Sequence, residues 1–275
     1  MPKRWVAVTG ATGGIGRLLL PRLQRQGFSV VACGRRAVSG LNFVPFDLEQ
    51  PDTAAATGGG IATLTGGALA GLVNLGGVIV QGPLELVPVA EFARQFAVNV
   101  TAPFALTRAL LPQLRAAKGR VINIGAVSSR MTAPLFGPIA ASKAALASLS
   151  DAMRMEFSTF GIDVVLIEPG ALKTEIFATA GKAQTAAMER NPPDINMLYR
   201  AAIPAWAKAM SSSAADDPDV VAKAIVEALT TRKPKTRMTV GKGASSFVWL
   251  SHLPDRIRDC VLLNFTGYAK AMRRR

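Results

Sequence analysis

Apolar runs of strand character alternate with stretches of helical periodicity along most of the chain. Runs rich in valine, isoleucine and leucine predict seven strands, at residues 5–10, 28–34, 41–47, 69–75, 119–127, 162–170 and 235–241. Apolar residues at three- and four-residue spacing predict helices at 14–27, 89–117 and 137–160. Strands that are apolar on both faces and alternate with helices indicate a parallel sheet covered on both sides. The pattern therefore predicts a doubly wound α/β fold of the Rossmann class, in a single domain over residues 1–275.

Three segments depart from this pattern. Residues 51–67 are rich in glycine and weakly periodic, so they predict a shortened, loose connection. Residues 175–215 are polar and irregular, and in this topology a segment after the sixth strand lies over the cleft as a substrate lid. Residues 241–275 form a basic extension with amphipathic spacing, interrupted at Pro254. We expect this extension to pack on the domain or on a second subunit.

The composition restricts the kind of partner. The net charge is +14, and seven basic residues precede the first acidic residue, Asp47. The basic residues are not interleaved with aromatic ones, so an anionic cofactor is favoured over a nucleic acid. Two distant cysteines, Cys33 and Cys260, indicate neither a disulfide framework nor a metal site. With no secretory signal and no apolar run long enough for a membrane span, we expect a cytoplasmic protein. A peripheral membrane or nucleic-acid role for the basic tail is a weaker alternative.

A glycine-rich turn follows the first predicted strand in "VAVTGATGGIGRLLL". Glycines at such a turn let the backbone bend tightly and approach a pyrophosphate, which binds the free N–H groups of the helix that follows. The strand before the turn and the helix after it provide the context that this motif requires. The predicted phosphate-binding residues are Gly10, Thr12, Gly13, Gly14, Ile15 and Gly16.

The spacing T-G-x-x-x-G-x-G resembles that of the classical short-chain dehydrogenase/reductase family. Further motifs follow in the same order along the chain: "DL" at 47–48, "VNLGG" at 73–77, "AVNV" at 97–100, "ASK" at 141–143 and "PGALKT" at 169–174. The resemblance implies that Asp47 and Leu48 contact the adenine, and that Asn99 organises the active site. It also implies that the remaining positions hold the cofactor, namely Asn74, Gly76, Lys143, Pro169, Gly170, Leu172 and Thr174.

The residue types at the end of the second strand predict which nicotinamide cofactor the protein binds. An acidic residue there would accept hydrogen bonds from the ribose 2′-hydroxyl and repel a 2′-phosphate. This chain has Gly34 at that position, followed by Arg35 and Arg36. Because guanidinium groups pair well with phosphate, the sequence predicts NADPH rather than NADH.

Two of the three catalytic groups that the resemblance implies are missing. In the family a tyrosine four residues before the lysine donates the proton, and a serine orients the carbonyl. Here Lys143 is present, but the tyrosine position is Ile139 and the serine position is Ala126. Loss of a positioned general acid reduces a rate by about 10²–10⁴-fold. Any turnover therefore needs another proton source.

Four proton sources are open. Ser128 lies two residues beyond Ala126, so on a regular strand the two would share a face. Tyr199 of the lid could move in, or Lys143 could act through a water shared with Asn99. The substrate could also supply the proton from a phenol beside its ketone. That arrangement occurs in aromatic polyketides, and this chain is similar to atypical ketoreductases of the angucyclinone type.

These features predict an NADPH-dependent ketoreductase that reduces a bulky polycyclic or aromatic ketone to a secondary alcohol. The predicted substrate contacts are Ala126, Ser128, Ile139 and Tyr199. Apolar neighbours would surround the nicotinamide, and the lid would supply further contacts: Leu135, Phe136, Leu172, Met197, Ile203 and Trp206. Alternatively, the first three belong to the core and the other three form a hydrophobic cluster within the lid. The alternative is a catalytically silent NADPH-binding scaffold or sensor. The family resemblance also implies a homodimer or homotetramer.

Overall fold

The computed structural model describes residues 3–212 and 215–273 and contains one seven-stranded parallel sheet. The strands are β1 (Arg4–Thr9), β2 (Phe28–Gly34), β3 (Asn42–Pro45), β4 (Gly71–Asn74), β5 (Arg120–Ile124), β6 (Asp163–Pro169) and β7 (Arg237–Val240). Their order in the sheet is β3-β2-β1-β4-β5-β6-β7. This order reverses direction between β1 and β4, where ligands of doubly wound sheets bind. The predicted fold class is confirmed.

Helices cover both faces of the sheet. They are α1 (Gly14–Arg25), α2 (Ala54–Thr65), α3 (Val89–Phe96), α4 (Ala102–Ala117), α5 (Gly137–Ser158), α6 (Glu175–Met188), α7 (Pro193–Tyr199), α8 (Ala202–Ser212), α9 (Asp219–Thr230), α10 (Ala244–Leu250), α11 (Asp255–Phe265) and α12 (Tyr268–Arg273). Within the described ranges, no helix is long and apolar enough to span a bilayer.

Alternating strand residues build two hydrophobic cores. On β1, Val6 and Val8 face one core with α1 and α9, while Ala7 faces the other core with α2 and α4. This alternation follows from the two-residue side-chain period of a strand. Because both faces of β1 are buried, the strand is apolar throughout its centre.

A polar ladder crosses the centre of the sheet. Asn74 of β4 lies opposite Asn123 of β5, and its Nδ2 donates to the Asn123 Oδ1 atom across 2.8 Å. The Nδ2 atom of Asn123 in turn donates to Ser150 of α5 across 2.9 Å. Because a slip of one residue would leave these buried groups unpaired, the ladder fixes the register of β4 and β5.

The prediction of a loose connection at 51–67 is wrong. The segment contains a short 3₁₀ turn (Pro51–Thr53) and then the regular helix α2. A Cβ atom on Gly58 would lie 3.0 Å from the Cβ of Ala109 in α4, and one on Gly60 would lie 3.1 Å from Val44. These glycines therefore allow α2 to pack closely on its neighbours.

The lid segment is helical rather than irregular. Residues 175–212 form α6, α7 and α8, while residues 213–214 of the predicted lid lie outside the described residues. In each of these three helices the spacing of the apolar residues is too irregular to predict a helix from the sequence alone.

The C-terminal extension contains three short helices. α10 and α11 are separated at residues 251–254, which agrees with the interruption expected at Pro254. The last two arginines of the basic tail, at 274–275, lie outside the described residues.

Candidate active site

The glycine turn after β1 is held by close backbone contacts. Gly10 has a φ of +68°, and a Cβ there would lie 2.7 Å from the backbone nitrogen of Gly76. A Cβ on Gly16 would lie 2.5 Å from the carbonyl oxygens of Gly10 and Ala11. The hydroxyl oxygen of Thr9 accepts hydrogen bonds from the N–H groups of Leu75 and Gly76, each across 3.1 Å. The ends of β1 and β4 therefore form one compact unit that excludes side chains.

The first turn of α1 presents backbone donors. Gly13 precedes the helix in an extended conformation, and no described side chain caps it. The N–H of Gly13 donates to the carbonyl of Gly10 across 3.0 Å, and Thr12 accepts from Arg17. Orphan N–H groups at a helix start are suited to an anion.

The loop after β6 reaches the same crevice. A Cβ on Gly14 would lie 3.8 Å from the methyl group of Thr174, the residue that precedes α6. The N–H of Gly170 donates to Val240 of β7, and Leu172 forms an isolated bridge with Asp216. Pro169 ends β6. The structure thus brings together the α1 turn and the "PGALKT" loop, as the sequence predicts.

Gly34, Arg35 and Arg36 follow β2 at the edge of the crevice. Both arginines are exposed, and no described residue forms an ion pair or hydrogen bond with them. A Cβ on Gly34 would meet nothing within 4 Å. Nearby, the Oδ1 atom of Asp47 accepts from the N–H of Glu49 across 3.0 Å.

Leu48 and Asn74 are held by the fold. A Cβ on Gly76 would overlap the side chain of Leu48, so the two residues are in direct contact. The Asn74 side chain is buried and donates to Thr107 and Asn123. Any contact of Asn74 with a cofactor would therefore use its backbone, while the amide stabilises the sheet.

A π-helical turn at Ala97–Thr101 carries Asn99 between α3 and α4. The Asn99 Oδ1 atom accepts from the N–H of Val78 across 2.9 Å, and its Nδ2 donates to the Val78 carbonyl across 3.0 Å. Nδ2 also lies 3.3 Å from the hydroxyl of Ser142. Asn99 thus fixes the segment after β4, and its recorded partners do not include Lys143.

Sequence reasoning missed Gln95 and Ser142, which belong to this hydrogen-bond network. Gln95 donates to the carbonyl of Val78 and to Ser142, each across 3.0 Å, and accepts from the N–H of Val80 across 2.5 Å. Gln95 is fully buried, four residues before Asn99. A polar residue at i−4 from the predicted asparagine was the available signal.

Lys143 crosses from α5 to the end of β5. Its Nζ atom donates to the carbonyl of Ile124 across 2.6 Å. The side chain is partly buried, and desolvation lowers the pKa of its ammonium from 10.5 to about 8. A Cβ on Gly77 would lie 3.2 Å from the Asn99 Oδ1 atom and 4.0 Å from the Lys143 Nζ atom. Lys143 and Asn99 therefore border the same small space beside Gly77.

Hydrocarbon occupies both positions where the family has its hydroxyls. Ile139 is 4% exposed in the first turn of α5. Ala126 is half-buried and extended, directly after β5. Leu135, with a φ of +68°, is buried beside this region.

The expectation that Ser128 shares a strand face with Ala126 is wrong. β5 ends at Ile124, and Val127–Ser129 forms a 3₁₀ turn. Glu168 of β6 holds this turn in place, because Ser129 donates a hydrogen bond to its buried carboxylate across 2.7 Å. Arg130 pairs with the same carboxylate across 2.6 Å. A regular alternation therefore does not apply at Ser128.

The described part of the predicted lid, residues 175–212, contacts the segment after β4. Tyr199 donates its hydroxyl to Glu85 across 2.7 Å, which directs it to the protein surface. Trp206 is buried with its ring 5.2 Å from that of Phe136, whereas Met197 is 65% exposed. The lid residues predicted as substrate contacts are thus divided between an aromatic cluster and the surface.

Among the described residues, neither a histidine nor a group of metal ligands belongs to this site. His252 is exposed, and the described residues contain no cluster of ligands that could hold a metal ion.

Comparison with known proteins matches this arrangement to one family. The family model described as short chain dehydrogenase matches residues 4–185. Retinol dehydrogenase 5 of Mus musculus is 33% identical over 94% of this chain and 87% of its own length. The NADPH-dependent 3-dehydrocapnine reductase of Ornithobacterium rhinotracheale is 31% identical over 94% of this chain and 95% of its own length.

Solved structures share the fold. A short-chain dehydrogenase from Streptomyces avermitilis has a TM-score of 0.71 and 24% identity, covering 99% of this chain and 98% of its own. One from Burkholderia cenocepacia, in complex with NADP, has a TM-score of 0.73 and 19% identity, covering 95% of this chain and 98% of its own.

Proposed function

This chain belongs to the short chain dehydrogenase family, and on that premise we propose that it is an NADPH-dependent ketoreductase whose proton comes from outside helix α5. Its substrate is a bulky, apolar ketone, polycyclic or aromatic, which is reduced to a secondary alcohol. The observation that carries the proposal is the intact Lys143–Ile124 bond beside two hydrocarbon positions, Ile139 and Ala126.

The crevice fits a dinucleotide. A Cβ atom on Gly10, Gly16 or Gly76 would overlap neighbouring atoms of the protein, so these glycines let the turn pack closely against the end of β4. A close glycine turn of this kind at the start of a helix supports a pyrophosphate site there. Arg35 and Arg36 supply unpaired cations at the end of β2, where a 2′-phosphate would lie. The NADPH-dependent relative supports the same choice of cofactor.

In this proposal the chain's own residues bind the cofactor and orient the substrate. When bound, NADPH supplies the hydride that is added to the carbonyl carbon. The Lys143 ammonium, which is charged below a pH of about 8, would hold the ribose of the bound cofactor and stabilise negative charge on the carbonyl oxygen. Asn99 and Gln95 keep Val78 and Val80 in place, so the segment after β4 forms a fixed wall of the site.

The proton must reach the carbonyl oxygen from the substrate or from water. Ile139 and Ala126 have no proton to give, and they make the pocket apolar, which favours a large hydrophobic ketone. A phenol beside the ketone already hydrogen-bonds to its oxygen. Transfer of that phenolic proton as the hydride adds would give the alcohol and a phenolate, and the phenolate would take a proton back from water, so no protein acid is needed.

Deuterium transfer tests this proposal. NADPH labelled with deuterium on either face of the nicotinamide is incubated with α-tetralone and with its peri-hydroxy derivative. We expect deuterium at the new carbinol carbon, with kcat/KM at least about tenfold higher for the peri-hydroxy ketone. Equal rates for the two ketones would argue against a substrate-derived proton. The Lys143→Met variant should bind NADPH weakly and transfer no label.

The alternative, a silent NADPH-binding scaffold, is favoured by the same two hydrocarbon positions. It predicts tight quenching of NADPH fluorescence with no label in any product across a panel of polycyclic hydroxy-ketones. Members of the family act on small-molecule substrates, whereas a silent scaffold would act through other partners. The homodimer or homotetramer stays a prediction that sedimentation can check.

A further inference from the structure

A small cavity lies between the lid helix α6 and the segment that follows β4. Its volume is about 30 Å³, enough for one polar group or one water. Most of its wall is apolar, formed by residues such as Val80, Leu86, Ala183 and Met188. The polar exceptions are one glutamate and two glutamines: Glu91, Gln81 and Gln184.

The two glutamines form an incomplete amide pair. The Nε2 atom of Gln81 donates to the Oε1 atom of Gln184 across 3.2 Å. The Oε1 atom of Gln81 and the Nε2 atom of Gln184 are both buried, and neither has a partner within the described ranges. Gln81 as a whole is only 8% exposed. The cavity wall therefore presents one unpaired acceptor next to one unpaired donor.

This result does not depend on how the amide atoms are assigned. If both side chains were rotated by half a turn, Gln184 would donate to Gln81 instead, and an acceptor and a donor would again be left over. Because buried polar groups are rarely left without partners, the pair needs a third group that both accepts and donates a hydrogen bond.

The amide pair is close to the proposed reaction site. Gln81 lies three residues beyond Val78, which Asn99 binds, so their Cα atoms are at most about 10 Å apart. The next residue, Gly82, donates its N–H to the carbonyl of Leu135 across 2.8 Å. Gly77, on which a Cβ would lie 4.0 Å from the Lys143 Nζ atom, is four residues before Gln81, so Lys143 and the amide pair lie along the same segment after β4.

The charge at the cavity selects a neutral group. Glu91 lines the cavity and shares the Arg94 cation with Glu49, across 2.9 and 3.1 Å, so the carboxylate at the cavity is only partly neutralised. A second carboxylate would be repelled there. A hydroxyl is neutral, donates once to the Gln81 oxygen and accepts once from the Gln184 nitrogen.

We propose that Gln81 and Gln184 form a specificity subsite for a hydroxyl group on the substrate, remote from the ketone that is reduced. This inference rests on the proposed function and adds a substrate class to it: an apolar hydroxy-ketone. Gln184 belongs to the lid, so a bound hydroxyl also ties α6 to the segment after β4.

Matched ketones test the subsite. The probes are α-tetralone and its three ring-hydroxylated isomers in which the hydroxyl cannot reach the carbonyl. We expect at least one isomer to exceed α-tetralone in kcat/KM by about tenfold, since two neutral hydrogen bonds are gained. Gln81→Leu and Gln184→Leu should each remove this preference and leave kcat/KM for α-tetralone within about twofold.

One control variant accompanies this test, and two outcomes would contradict the subsite. Gln24→Leu changes an exposed glutamine of α1 and should keep the preference. If no isomer is preferred, or if the preference survives both variants, the amide pair holds only a buried water and the proposal is overturned. Because Gln184 is half-exposed on the lid, its variant remains informative if Gln81→Leu does not fold.

A binding measurement separates this proposal from the proposed function. Calorimetric titration of the same ketones into the protein with NADP⁺ requires no turnover. A tenfold tighter Kd for a hydroxylated isomer, lost in Gln184→Leu, supports the subsite even if no deuterium is transferred. Equal Kd values for all four ketones overturn it even if reduction is observed.

Discussion

The ammonium of Lys143 and the carbonyl of Ile124 are joined by a 2.6 Å hydrogen bond that links α5 to the end of β5. No carboxylate is recorded as a partner of this ammonium within the described ranges, and desolvation lowers its pKa to about 8. The fold thus holds a cation where it is partly removed from water. Such an arrangement destabilises the folded protein while preparing a positive charge for a ligand.

Replacing Lys143 by methionine should stabilise the protein near neutral pH. The pKa of Lys143 in the folded protein, about 8, lies below the 10.5 of an ordinary lysine, so the full penalty is present below pH 8. Between those two values the unfolded chain binds more protons, and stability of the wild type rises with pH. The gain from Lys143→Met should be at most about 3 kcal/mol, and less after the Ile124 hydrogen bond is lost.

Urea unfolding across this pH range measures the effect. The advantage of Lys143→Met should shrink as the pH rises from about 8 to 10.5 and vanish above it. Lys235→Met, at an exposed lysine before β7, is the control and should leave stability nearly constant. An advantage that does not change with pH would contradict the assigned cause.

Restoring the hydroxyl at position 139 should help only substrates that lack their own proton donor. Ile139 is almost fully buried, so a larger ring would overpack α5 and lower stability by about 1–3 kcal/mol. Ile139→Phe has the same bulk without the hydroxyl and is the matched control. We expect kcat for α-tetralone to rise about 10-fold or more in Ile139→Tyr relative to Ile139→Phe.

The peri-hydroxy ketone gives the opposite expectation for the same two variants. Its reduction should differ by less than about threefold between Ile139→Tyr and Ile139→Phe, because its proton is already in place. A large gain for this ketone as well would mean that the natural protein is an impaired catalyst.

An acidic residue at Gly34 should change the cofactor preference. The space around Gly34 is open, so Gly34→Asp introduces a carboxylate without a clash. The carboxylate would repel a 2′-phosphate and bind a 2′-hydroxyl. The ratio of kcat/KM for NADPH over NADH should fall by at least about tenfold, as loss of a charge-assisted contact implies.

Lys233→Ala controls for a general change of surface charge. This exposed residue precedes β7, at the opposite edge of the sheet. It lowers the net charge by one, as Gly34→Asp does, and should leave the cofactor ratio unaltered.

Two glycine substitutions should have effects of opposite sign. Gly16→Ala would bring a Cβ within 2.5 Å of two backbone carbonyl oxygens, so the turn must distort. NADPH affinity should fall by more than about tenfold, and stability should decrease. Gly59→Ala, in the interior of α2, would meet nothing within 4 Å.

Gly59→Ala should therefore stabilise the protein by about 0.5–1 kcal/mol through helix propensity and leave the Kd of NADPH unchanged. Thermal unfolding and fluorescence titration of both variants check the pair of expectations. A loss of affinity in Gly59→Ala would show that the effect of Gly16→Ala is not specific to the turn.

The sheet was predictable because its strands are locally apolar and regularly spaced. Short-range patterns of this kind determine β1, β2 and the glycine turn at Gly10. Helix α2 was not predictable, because Gly58 and Gly60 lower its local propensity and are favoured only by close packing on Ala109 and Val44. Tertiary contact overrides propensity in that segment.

The site was partly predictable for the same reason. Lys143 and Asn99 stand in recognisable motifs, whereas Gln95, Ser142 and Glu168 act through partners that are distant in the chain. The orientation of Ser128 depended on where β5 ends, and Glu168 fixes that point through Ser129 and Arg130. Long-range pairs of this kind cannot be inferred from spacing along a single chain.

Among the residues that the structure describes, hydrogen bonds at three places join the predicted lid to one stretch of six residues after β4. They connect Gln184 with Gln81, Tyr199 with Glu85, and Asn191 with the carbonyl of Leu86. Since all three end on the same stretch, they break in one cooperative opening event. We expect the opening of the predicted lid to set the lifetime of a closed complex, and amide hydrogen exchange along α6 and α7 would time that opening directly.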